Sequence, residues 1–205
     1  SPLLSFSQLA VPIILLASSL LSIEAQIASL GICPDVPKQH DFHPERFVGL
    51  WYEQERYPNV FELAAKCVTS EYSMNADTTF TITNKQINSL TGNESKYFGS
   101  ARRTKISKYQ VKFPFAFNHE KPYWILGTDY HTYAVIYTCS ELGLLNMKNI
   151  WILTRERFPI KSILHKAYTI MELAQLNRSL LQKTDQKHCE PVRKQVSKYP
   201  MVLIG

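Results

Sequence analysis

Residues 46–58 read RFVGLWYEQERYP, with Gly49 two positions ahead of Trp51 at the start of a stretch of strand character. A glycine there lets the chain approach a neighbour closely, and a tryptophan that begins a strand needs something to bury it. From residue 50 to about residue 155 the sequence reads as strand after strand, separated by Asn, Asp, Gly and Pro signals. Strands are expected at 50–58, 67–75, 79–88, 95–104, 108–117, 122–129, 132–139 and 149–155. The fifth is the cleanest. In YQVKFPFAF, Tyr109, Val111, Phe113, Phe115 and Phe117 alternate with Gln110, Lys112, Pro114 and Ala116, a period-2 pattern with one apolar face. Pro114 removes one ladder donor, so a bulge or an edge is expected there.

Eight consecutive strands with short connections, and no helical stretch between them, predict an antiparallel meander. Left flat, such a sheet has two exposed edges and one unburied face; closure into an up-and-down barrel removes both problems. A barrel of this size has room inside for side chains or one small ligand. The last three strands, YWILGTD, TYAVIYTC and NIWILTR, are apolar on both faces, so something must cover them from outside. Residues 159–176 can do so: Ile160, Ile163, Leu164, Ala167, Met171 and Ala174 recur at helical spacing after Pro159. The expected fold is all-β, an eight-stranded antiparallel barrel with a C-terminal helix packed outside.

The bulk properties agree with one secreted domain. The chain has 205 residues, 45% hydrophobic, with a formal charge of +6. Its basic residues are scattered, and Arg102 with Arg103 is too short a pair for a nucleic-acid patch. Residues 1–25 contain no Lys or Arg and carry the apolar run LAVPIILLASSLL, too short to span a bilayer, ending in small residues up to Ala25. They are expected to be a secretory signal peptide, truncated at its N-terminus because a basic leader region and an initiator Met are missing. Cys33, Cys67, Cys139 and Cys189 then make an even number behind a signal, which implies two disulfides in one of three connectivities. No CxxC spacing supports a metal site, and His40 with His43 has no further ligand nearby. Sequons at Asn93 and Asn177 fit the secreted setting.

Strand order also sorts the two barrel ends. Trp51 begins the first strand and Arg155 ends the eighth, so the antiparallel neighbours bring them together, with the guanidinium stacked on the indole. The turn at Thr128, Asp129 and Tyr130 lies at the same end. Counting back from Arg155 by twos turns Leu153 and Trp151 inward; Val111, Phe113 and Phe115 face inward on the fifth strand. The connections 59–66, 89–94, 118–121 and 140–148 lie at the opposite end. Those containing PNVFELAA (58–65) and ELGLLNM (141–147) are apolar for loops. They read as a ligand entrance, as a rim for membrane or lipoprotein contact, or as loops folded over their own core.

Three short motifs carry a resemblance. Gly49-Leu50-Trp51, Thr128-Asp129-Tyr130 and Arg155, in this order, resemble the signatures of the lipocalin family. The texture of CPDV (33–36), PYWILGTDY, YAVIYTC and WILTR is similar to the apolipoprotein D branch, with its Lazarillo-type and insect bilin-binding members. The resemblance covers roughly residues 31–190. It implies that the Trp51 and Arg155 end is closed, that Cys33 pairs with Cys139 and Cys67 with Cys189, and that Tyr72 and Tyr123 line a cavity. The candidate pocket is therefore Tyr72, Phe113, Tyr123, Trp151 and Leu153. The implied function is binding and transport of a small hydrophobic ligand of fatty-acid, sterol or retinoid type, linked to lipid handling and oxidative-stress protection. The alternatives are a bilin-binding protein or a Lazarillo-type cell-surface glycoprotein. No cofactor, metal or nucleic-acid partner is expected. No catalysis is expected either: no GxSxG or HExxH motif is present, and the thiol used by isomerising lipocalins would be paired. The chain divides into the leader, residues 26–48 closing the barrel, the barrel at 49–156, the helix at 157–177 and a segment at 178–205 tied back by a disulfide.

Overall fold

A computed structural model describes residues 27–59, 62–114 and 120–190. The expected signal peptide, the inward position of Phe115, Phe117 and the tail beyond residue 190 lie outside the described residues. The barrel consists of β2 (Gly49–Arg56), β3 (Ala65–Met74), β4 (Phe80–Asn88), β5 (Glu94–Lys105), β6 (Lys108–Lys112), β7 (Lys121–Thr128), β8 (Tyr133–Leu142) and β9 (Leu145–Thr154). Each pairs antiparallel with the next, and β9 returns to β2 through Tyr52↔Thr154 and Arg56↔Trp151, which closes the cylinder.

Two short strands lie outside this ring. β1 (Ile27–Leu30) pairs with residues 145–148 of β9, the part of that strand that β2 does not reach. Within the expected 26–48 segment, the free edge of β9 recruits the first part into the sheet. β10 (Gln182–Lys183) pairs with Glu55 and Arg56 of β2, beyond the last β2–β3 pair at Tyr52↔Thr69. The two strands splay apart there: β3 has a register irregularity between Lys66 and Thr69, and Cys67 takes φ +56°. The C-terminal segment fills the seam. The Gln186 side chain donates to the Glu53 and Val68 carbonyls, Thr184 N–H to the Gln54 carbonyl, and Cys67 N–H to the Asp185 carbonyl.

Two strand boundaries differ from the sequence reading. The fifth expected strand, 108–117, ends its ladder at Lys112 in β6, two residues before Pro114, whose missing N–H cannot continue it. The expected 140–148 loop is mostly sheet: β8 and β9 pair out to Leu142↔Leu145 around Gly143, at φ +62°. A two-residue connection needs such a left-handed residue, and glycine adopts it without a Cβ penalty.

The outer layer is α2 (Lys161–Leu173), a four-residue α1 (Pro44–Phe47) having come earlier in the chain. Ala167, Tyr168 and Met171 of α2, with Ala174 and Leu176 after it, pack on Val135, Tyr137, Ile150 and Ile152 from β8 and β9. Ile160 was expected on this apolar face but is exposed, because it caps the helix in extended backbone, outside the helical spacing. Gly127 of β7 receives the helix: a Cβ there would lie 2.8 Å from Ile170 Cδ1.

Candidate functional site

The closed end forms around Trp51, which has no exposed surface. The Arg155 guanidinium lies over its ring at 3.7 Å. That guanidinium also donates to the carbonyls of Tyr130, Leu50, Arg46, Phe47 and Val48, tying α1, β2 and the β7–β8 turn into one plug. Gly49, at φ +99°, makes room for it: a Cβ would meet Arg155 Nη1 at 3.2 Å. Trp51 Nε1 donates to the Phe47 carbonyl, and the Phe47 ring lies against the indole with centroids 5.1 Å apart, tilted by 30°.

The β7–β8 turn is held by Asp129. Its carboxylate accepts from the Thr132 hydroxyl and from the backbone N–H groups of His131, Thr132 and Tyr133. Burial works to raise its pKa, but these bonds and Lys166 outweigh it and hold the group at about 2. Tyr130, at φ +67°, stacks on Phe42; its hydroxyl accepts from His43 N–H and donates to the Asp41 carbonyl. Residues 41–48 thus run across the base of the barrel.

Above the plug lies a cavity of about 140 Å³, roughly ten times the space that one water needs. All five sequence-derived pocket residues line it: Tyr72, Phe113, Tyr123, Trp151 and Leu153. The hydroxyls of Tyr72 and Tyr123 hydrogen-bond each other, and burial pushes the Tyr72 phenol up to about 12 and Tyr123 well above its ordinary value. Gly99 of β5 shapes this wall, since a Cβ there would meet the Phe113 ring at 2.5 Å. The ring lies in the space that the glycine leaves.

The lining also contains polar groups that the sequence reading passed over: Glu53, Glu62, Asn84, Thr138, Asn149 and Lys121. Glu53 could have been found, because it shares the inward face of β2 with Trp51. A carboxylate inside an apolar wall contradicts the pattern being sought, however. Glu62 belongs to the β2–β3 connection, where no periodicity exists to place it. In the structure its carboxylate accepts from Trp151 Nε1 at 3.2 Å and lies 3.5 Å from Arg56 Nε. Arg56 Nη1 donates to Glu53 Oε1 and to Thr184 Oγ1, and Nη2 to the Glu62 carbonyl. Burial, followed by the nearby Glu62, pushes the Glu53 carboxyl up to about 8 even with Arg56 beside it. Burial also pushes the Lys121 ammonium down.

The cysteines pair as Cys33–Cys139 and Cys67–Cys189, with Cα separations of 5.9 and 5.5 Å. The first fixes the N-terminal segment to β8 and the second fixes the C-terminal segment to β3. Asn93 and Asn177 are both exposed. Among the described residues no group of His, Cys, Asp or Glu could hold a metal ion, and no helix is long and apolar enough to cross a membrane.

Comparison with known proteins adds three relatives. Apolipoprotein D of Macaca fascicularis is 32% identical over 187 residues, spanning 87% of this chain and 97% of that protein. Lazarillo protein of Schistocerca americana is 29% identical over 181 residues, 83% of each. The crystal structure of insecticyanin from the tobacco hornworm Manduca sexta superposes with a TM-score of 0.70 at 21% identity, covering 81% of this chain and 92% of that one. That likeness is one of fold. A plugged antiparallel barrel, a cavity inside it and a family-model match over residues 48–188 together show that this chain belongs to the lipocalin / cytosolic fatty-acid binding protein family.

Proposed function

We propose that this chain is a secreted carrier that holds one small lipophilic molecule, of fatty-acid, sterol or retinoid type, in the barrel. The observation that carries this reading is the barrel cavity walled by Tyr72, Phe113, Tyr123, Trp151 and Leu153. Apolar ligand surface removed from water there gains about 25 cal/mol per Å². Two disulfides support an oxidising compartment, and exposed Asn93 and Asn177 suit glycan attachment. Every cysteine is paired, so no thiol is left for isomerase chemistry, which supports a carrier over an enzyme. Lipid handling and oxidative-stress protection are the roles that the likeness to apolipoprotein D suggests.

The rim supports delivery to a membrane or lipoprotein surface. Leu142 and Leu144 at the tip of the β8–β9 hairpin are 65% and 84% exposed, and Leu30 and Ile32 beside them 85% and 78%. Replacing Leu142 and Leu144 with Ser should weaken co-sedimentation with phospholipid vesicles while leaving soluble ligand binding unchanged.

Titration of purified protein with a fatty acid, a sterol, retinol and biliverdin tests the carrier reading. Quenching of tryptophan fluorescence by the lipids is expected. A visible absorption band with biliverdin, and no response to any lipid, would replace the lipid reading with pigment binding.

A further inference from the structure

We propose that the outer wall of the barrel at β4, β5 and β6 binds a linear sulfated polysaccharide of the extracellular space. The choice of partner rests on the secreted reading above; the cationic wall itself does not.

Basic residues that are scattered along the chain are gathered here by sheet register. β5 and β6 carry Lys96, Arg102, Arg103, Lys105, Lys108 and Lys112 against a single acid, Glu94. The pleat turns Tyr97, Gly99 and Ala101 into the barrel, so Lys96, Phe98 and Arg102 project outward, where they are exposed. On β6, Tyr109 and Val111 are buried, which puts Lys108 and Lys112 on the same outer face. Lys85 of β4 lies directly opposite Lys96, and Lys105 directly opposite Lys108. Like charges set across from each other on neighbouring strands destabilise a sheet. Two such pairs on one wall disfavour the free protein and favour a bound polyanion that neutralises both.

The cations are also available. Among the described residues, Lys85, Lys105 and Lys112 form no ion pair, while Lys96 and Lys108 lie over the rings of Phe98 and Trp124 at 5.0 and 4.9 Å. Arg102 meets Glu120 at 2.9 Å, but both are exposed, and a pair of that kind contributes little against a competing anion. Glu71 and Glu94 stand only at the border, beside Lys85.

Shape selects the class of polyanion. From Lys96 to Lys105 a strand rises about 30 Å, and three neighbouring strands are about 10 Å across, so the patch is a long, narrow strip suited to a linear chain. A flat lipid surface fits it less well. β5 and β9 stand on opposite sides of the ring, so a membrane that met Leu142 and Leu144 of the β8–β9 hairpin would leave this wall in water. A single-stranded nucleic acid needs a stacking surface for successive bases. Phe98, 56% exposed, is the one exposed aromatic ring on this wall among the described residues. One ring suffices to pack against the apolar face of one sugar.

Heparin is the probe, and its binding is measured by surface plasmon resonance across a salt series. Affinity should fall steeply as salt rises, because released counterions drive the association. A variant with Lys85→Gln, Lys96→Gln and Lys112→Gln should bind roughly tenfold more weakly or worse, with the slope of log affinity against log salt reduced by about one per lysine. Its melting temperature should hold or rise, since a like-charge pair is relieved. A control with Lys148→Gln, Lys161→Gln and Lys187→Gln removes the same charge elsewhere and should lose less than about twofold. Equal losses in the two variants would reduce the effect to net charge and overturn the proposal, as would undiminished heparin binding by the first. Desulfated heparin should bind roughly tenfold more weakly than heparin. Comparable lysine-dependent binding of a single-stranded oligonucleotide or of phosphatidylserine vesicles would overturn the choice of partner. Retinol titration should be the same in both variants, so failure of the proposal leaves the carrier reading standing.

Discussion

Trp51 and Arg155 show how one side chain can hold several elements at once. The indole is fully buried in contact with Phe47 and the guanidinium, and the guanidinium draws in carbonyls from α1, β2 and the β7–β8 turn. Trp51→Ala therefore empties a site that the surroundings cannot collapse into, at a cost of about 3–5 kcal/mol. A lower urea midpoint should show it. Affinity should change less, because Trp51 is not among the residues lining the cavity. Unchanged melting with abolished binding would contradict this role. Glu53 makes a prediction of opposite character. Its carboxyl is raised from an ordinary 4.5 to about 8, so the folded state binds a proton more tightly than the unfolded chain. The associated stability is fully present below pH 4.5 and is lost as pH rises through about 8. Asp129 has the reverse sign: lowered from 3.8 to about 2, its contribution is present above 3.8 and lost as pH falls through 2. Urea midpoints against pH should decline across the first window, and Glu53→Gln should flatten that decline while leaving the acid limb in place.

At the scale of elements, the contact between α2 and the barrel depends on a missing side chain. Gly127 presents bare backbone to Ile170, whose Cδ1, Cγ1 and Cγ2 would lie 2.8, 2.9 and 3.3 Å from a Cβ. Gly127→Ala should destabilise by about 1–3 kcal/mol through overpacking. Adding Ile170→Ala should recover part of that loss, so the double variant costs less than the sum of the singles. A denaturation cycle on the four proteins measures the coupling. The helix itself was legible in the sequence, because Ile163, Leu164, Ala167 and Met171 repeat with its period. So were the barrel strands and the inward parity of Trp151 and Leu153. The strand ends were less so. Pro114 truncates β6, and the β8–β9 hairpin grows past its expected limits because β1 pairs with its outer edge. A pairing partner distant in sequence leaves no local mark on the segment it recruits.

For the whole molecule, the segments at 27–33 and 182–189 that flank the barrel are structural parts of it, and the barrel binds small hydrophobic ligands. The disulfides close spans of 106 and 122 residues, each stabilising by about 4–5 kcal/mol in the chain-entropy model. Their functional weights should differ. Replacing Cys33 and Cys139 with Ser frees the N-terminal strap and should lower the melting temperature with modest effect on affinity. Replacing Cys67 and Cys189 also loosens the segment whose Gln186 and Thr184 fill the β2–β3 seam beside Glu53, so ligand affinity should fall as well. Comparing melting curves and retinol titrations of the two double variants separates these effects; equal affinity losses would sink the distinction.

The sequence by itself determined the barrel, its outer helix and the end at which Trp51 meets Arg155. Side-chain period and strand order are local properties that fix face and direction without knowledge of the packed state. The resemblance carried by its motifs supplied the cysteine pairing. Only the tertiary structure decided the polar side of the cavity. The register shift between Glu53 and Glu55, the β2–β3 splay filled by residues 182–189, and Glu62 reaching Arg56 and Trp151 all depend on segments far apart in the chain. Burial of a charged group is set by the partners that folding brings to it, and no stretch of sequence contains them all.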